Sequence, residues 1–175
     1  MNELATRGYN LTVLSCDTDQ NAGPNLTYLH MPEVYHAIYD GHEQFSLNDL
    51  VDEPMVKSVI GYYDFEYSAC GGAFKSQAFK ELLNYPDGFK FDLVIFDFAL
   101  GPCLLGFLDK FNYPPAVGVT AFNNPPFSQQ VVGGHKYYAY IPHYGLSYSN
   151  EMNFQQRLVN TFIHGLDEMY IQRTL

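Results

Sequence analysis

Positive charge is scarce in this chain. Nine Lys and Arg stand against 19 Asp and Glu, for a formal net charge of −10. Nucleic-acid binding rests on clustered Lys and Arg over phosphates, so no nucleic acid is expected as a partner. A small anionic ligand held by backbone N–H groups stays compatible with this balance. Long apolar runs are missing too. No stretch reaches the roughly 18 apolar residues of a membrane span, and no basic segment followed by an apolar one opens the chain, so neither a transmembrane helix nor a signal peptide is expected within it. Cysteine is sparse: Cys16, Cys70 and Cys103. They form no C-x-x-C and no zinc spacing, and an odd count closes no disulfide framework, so all three are read as free or buried thiols.

Several motifs are also absent. There is no G-x-G-x-x-G and no P-loop, and neither Ser15 nor Ser68 sits in a G-x-S-x-G turn. His30, His36 and His42 recur every six residues, but Pro32 and Gly41 interrupt them and no Asp or Cys completes a ligand set, so no metal is expected. His135, His143 and His164 have no nucleophile pattern near them. Gly71-Gly72 precedes a helical stretch without following a strand, a weak phosphate signal. Two glycosylation triplets occur at Asn10 and Asn25, the first at the start of a buried strand, where a glycan is not expected.

What the chain does have is apolar and aromatic mass. Hydrophobic residues make up 47% and charged residues 16%, with 15 Tyr and 14 Phe among 175 residues. That describes a globular domain and is compatible with an apolar pocket edged by phenol groups. No repeat or low-complexity linker divides it, so residues 1–175 read as one domain.

Periodicity orders the elements. "MNELATR" reads as a short helix, ended by Gly8. Asn10 to Cys16 and Asn25 to Met31 read as strands. Gln44 to about Glu66 has loose helical spacing, with Ser46 as a cap and Pro54 as a kink or break. Cys70-Gly71-Gly72 interrupts it, and a second helix is expected over Phe74 to Leu83. The apolar run Leu93 to Phe96 reads as a strand covered on both faces. Gly101-Pro102 opens a helix carrying Leu104, Leu105, Phe107, Leu108 and Phe111, and "AVGVT", Ala116 to Thr120, is another covered strand. Strand, helix, strand within about 30 residues predicts a parallel crossover. A long amphipathic helix is expected from about Asn150.

Within that crossover, Asp97 stands where the strand ends. Turn and capping roles are common for Asp. In open α/β sheets, however, ligands bind outside the carboxyl ends of strands, where a carboxylate can orient a histidine base and stabilise it when protonated. A receiver-type phospho-acceptor would need a Lys at a later strand end, and neither Thr120 nor the residues just after it supply one.

The segments "LATRGYNLTVLS", "FDLVIFDFALGPCLLGFLDKFNYPPAVGVTAFNNPP" and "GGHKYYAYIPHYGLSYSNEMNFQQRLVNTF" together resemble the N-terminal half of UDP-glycosyltransferases, most closely the insect members, over nearly the whole chain. The resemblance implies an α/β fold: the Rossmann-like N-terminal domain of a GT-B glycosyltransferase, a parallel sheet flanked by helices. That domain would bind a small lipophilic acceptor, while a C-terminal domain binds the UDP-sugar as donor substrate, with no further cofactor. A hexose, expected to be glucose, would pass to an acceptor hydroxyl with inversion. A His after the family's first strand acts as base, and an Asp at a later strand end holds it. That Asp matches Asp97. Phe98 and Phe122, after the two strand ends, are apolar candidates for acceptor contact.

This sequence departs from the family in beginning inside the "LATRG" helix. No residue matches the His, and the first strand, the UDP-sugar domain and the membrane anchor of the family have no counterpart here. The expectation is a fragment, inactive alone, of a parent on the lumenal side of the endoplasmic reticulum membrane. A non-catalytic α/β module for a lipophilic ligand is the alternative.

Overall fold

The structure is a computed structural model, and it describes residues 1–40, 54–97, 102–120, 133, 135 and 137–174. The chain mixes helices with small parallel sheets, as an α/β class requires. It packs as two compact units, one of Met1–Gln44, Tyr67–Asp92 and Cys103–Pro115, the other of Phe45–Glu66, Leu93–Pro102 and Ala116–Leu175.

The first unit opens with helix α1, Asn2–Thr6. Gly8, at φ 92°, closes it as expected, its N–H donating to Ala5 O and that of Tyr9 to Leu4 O. Strands β1, Leu11–Ser15, and β2, Leu26–His30, then pair in parallel, Leu11 opposite Leu26 and Ser15 opposite His30. Helix α2, Glu33–Tyr39, follows directly. The histidine spacing does not suggest it, and it takes His36 away from the extended segment of His30. His42 and Ser46 lie outside the described residues.

Helix α3 runs Met55–Lys75, starting just after Pro54. The expected break at Gly71-Gly72 does not occur. A Cβ on Gly72 would lie 2.6 Å from the Glu33 carbonyl oxygen and 2.7 Å from Val34 Cα, so a glycine there lets α3 touch the α2 backbone. The break falls at Ser76. It is fully buried, donates to Ala73 O and caps α4, Gln77–Leu83, by accepting from the Phe79 N–H at 3.0 Å. Cys70 of α3 is bonded to Cys103. This corrects the reading of three free thiols: only Cys16 is free. Two cysteines 33 residues apart carry no pairing motif, and helix packing brings their Cα atoms to 5.9 Å.

After a short 3₁₀ turn at Pro102–Leu104, helix α5, Gly106–Lys110, completes this unit. Phe111 is buried among Tyr85, Phe89, Phe91 and Phe107, with the Phe91 ring edge-on at 4.8 Å. Lys110 ties this cluster to the preceding turn by donating to Tyr85 O at 3.1 Å.

In the second unit, β3, Val94–Asp97, pairs in parallel with β4, Ala116–Val119. The predicted crossover is present. The expected cover on both faces is not: every β4 residue is exposed, and β3 is only half-buried. The closing helix α6, Phe154–Thr174, starts at a reciprocal cap. The Asn153 side chain accepts from the Gln156 N–H at 3.0 Å, and the Gln156 side chain accepts from the Asn153 N–H at 2.9 Å. The core of this unit is Val59, Tyr63, Leu146 and Ile163.

Candidate functional site

Asp97 is the last residue of β3, opposite Val119, the last of β4. It is exposed at the carboxyl end of a parallel pair, the position at which α/β sheets bind ligands. Its negative charge reaches Tyr62 on α3. Burial first, then Glu66, then Asp167 and Asp97 push the Tyr62 hydroxyl above the usual phenol range. Phe98 and Phe122, the acceptor candidates, lie outside the described residues.

Beside Tyr62 is a buried polar cluster that the sequence does not announce. Tyr63 of α3 donates its hydroxyl to Asp167 of α6 at 2.5 Å. The other Asp167 oxygen lies 3.4 Å from His143 Nε2. His143 Nδ1 accepts from the Gly145 N–H at 3.1 Å, so in the neutral ring the proton sits on Nε2, facing the carboxylate. At 3.4 Å that approach lacks hydrogen-bond alignment.

Asn160 holds the loop that carries His143. It is fully buried, donates to Tyr138 O and Ile141 O at 2.6 and 2.8 Å, and accepts from the His143 N–H at 2.7 Å. His164 packs against Tyr138 and His143, and its pKa is lowered by burial and by His143. Tyr138 also donates to Glu168. Burial pushes the Glu66 carboxyl up to about 7, although the Tyr62 hydroxyl bonded to it acts the other way.

The Tyr63–Asp167–His143 chain has the chemistry to orient a base. Its burial decides against catalysis: His143 is only 1% exposed and cannot reach a substrate. The cluster is better suited to fastening α3, the loop and α6 together. Asp97 remains the exposed chemical group at a strand end. Among the described residues no group of three or more His, Cys, Asp or Glu side chains is arranged to hold a metal, and no helix is long and apolar enough to cross a membrane.

Comparison with protein-family models, with curated proteins and with solved structures found no match to this chain.

Proposed function

We propose that this chain is the acceptor-binding part of an inverting UDP-glycosyltransferase, and that Asp97 orients its catalytic base. One observation carries the reading. β3 and β4 pair in parallel across a crossover containing α5, and the carboxylate stands exposed at the end of β3. That is where the sequence resemblance requires the aspartate. In the proposed reaction a neutral histidine, supplied by sequence outside these residues, takes the acceptor hydroxyl proton. The acceptor oxygen forms its bond to the sugar anomeric carbon as the bond to UDP breaks. Asp97 stabilises the imidazolium that results.

One further feature supports the reading. The Cys70–Cys103 bond suits an oxidising compartment, in keeping with a lumenal parent enzyme. The acceptor would be small and lipophilic, and the donor a UDP-hexose held by a second domain.

The test is to read the coding sequence on both sides of this segment. The proposal expects a strand ending in a histidine upstream and a sugar-nucleotide domain downstream. A genuine start at Met1 with neither feature would overturn it.

A further inference from the structure

The triplets Asn10-Leu11-Thr12 and Asn25-Leu26-Thr27 take no part in the proposed reaction. The register of the first sheet sets them side by side. Leu11 pairs with Leu26 and Thr12 with Thr27, so both asparagines stand at the amino end of the β1–β2 pair. Ser15 and His30 mark the other end, where a parallel sheet receives a ligand. A bulky group on either asparagine leaves that end clear.

The two asparagines differ in their surroundings. Asn25 is half-buried. Its side-chain nitrogen, the atom that would carry a sugar, donates to Ala5 O at 3.4 Å, and Ala5 is the buried residue of α1. A glycan on that nitrogen would sit against α1. Asn10 is exposed and lies in irregular backbone just before β1. No hydrogen bond ties its side-chain amide to any of the described residues. The sequence argues against a glycan here because the strand that follows reads as buried. β1 is only half-buried along its length, so that objection falls. Tyr9, beside Asn10, is 60% exposed, an apolar ring that a sugar can cover.

An independent feature of the same unit points the same way. Cys70 and Cys103 are bonded, and such bonds persist in oxidising compartments. Secreted and lumenal proteins are also the ones that receive Asn-linked glycans, at N-x-[ST] with x other than Pro. Leu11 meets that condition.

We infer that Asn10 is an Asn-linked glycosylation site and that Asn25 is left bare. In the transfer, Asn10 Nδ2 forms a bond to the anomeric carbon of an oligosaccharide carried on a lipid pyrophosphate. The bond from that carbon to the pyrophosphate oxygen breaks, the amide gives up one proton, and the lipid pyrophosphate leaves. The inference rests on the exposure of Asn10 and on the disulfide, not on the glycosyltransferase reading.

The test takes the protein from the cells that make it and cleaves it beside Asp17 and Asp19, which separates the two triplets. Peptide N-glycosidase in heavy-oxygen water then converts a glycan-bearing Asn to labelled Asp. The Asn10 peptide should carry the label and the Asn25 peptide should not. On re-expression in the same cells, the wild type should gain mobility on a denaturing gel after glycosidase treatment. Asn10→Gln and Thr12→Val should run at the digested position from the start. Thr12→Ser, which keeps the hydroxyl, should retain the glycan. These readouts hold whether or not a variant folds. An unlabelled Asn10 peptide would overturn the inference, as would label on Asn25 or a glycan that survives Asn10→Gln.

Discussion

Tyr63 and Asp167, 104 residues apart, share a 2.5 Å hydrogen bond in the interior of the second unit. That contact joins α3 to α6 and, through His143, to the loop between them. Tyr63→Phe should cost about 1–3 kcal/mol, because it leaves a buried carboxylate oxygen unsatisfied. In a double-mutant cycle with Asp167→Ala, the two changes should couple by about 1 kcal/mol or more. Simple additivity in denaturant unfolding would show that the bond does not fasten the helices.

Glu66 should make stability fall with rising pH. Burial raises its folded-state pKa from 4.5 to about 7, so the folded chain holds this proton more tightly than the unfolded chain does. The contribution is fully present below pH 4.5 and is lost as pH rises through 7. About 2–3 kcal/mol is at stake between those limits. Glu66→Gln cannot ionise, so its stability advantage over the wild type should grow over that range. Parallel stability curves for the two proteins would contradict this.

The Cys70–Cys103 bond closes a loop of 33 residues. The chain-entropy model assigns such a loop about 3–4 kcal/mol. Replacing both cysteines by serine should lower the unfolding free energy by roughly 2–4 kcal/mol. Alkylation under denaturing, non-reducing conditions should modify one thiol, that of Cys16. Three modified thiols would refute the bond.

What the sequence made legible was local. β1, β2, β3 and β4 follow from β-branched and apolar runs, and Gly8 at φ 92° ends α1 where the helix pattern ends. The crossover follows from the order of β3, α5 and β4. The misreadings have one cause, namely that tertiary packing gave a local signal another meaning. Gly71-Gly72 reads as a break, yet Gly72 is where α2 comes closest. Helix α2, which begins between the histidines at 30 and 36, was not read at all. The same limit hid the Cys70–Cys103 pair and the Tyr63–Asp167–His143 chain, whose members are far apart in sequence. At Asp97 the position was legible from the strand end, and the role proposed for it comes from the resemblance alone.

If the donor belongs to another domain, this chain alone should bind UDP-glucose no more tightly than millimolar in a calorimetric titration. A micromolar affinity would mean that the sugar-nucleotide site lies within these 175 residues.

The most direct measurement is turnover of UDP-glucose with a lipophilic phenol by the longer protein that the proposal expects to carry this segment, compared between wild type and Asp97→Asn. An amide cannot stabilise the imidazolium, so kcat should fall by about 10²–10⁴-fold while the fold and the acceptor KM change little. Wild-type turnover in Asp97→Asn would contradict the assignment of Asp97 as the residue that holds the base.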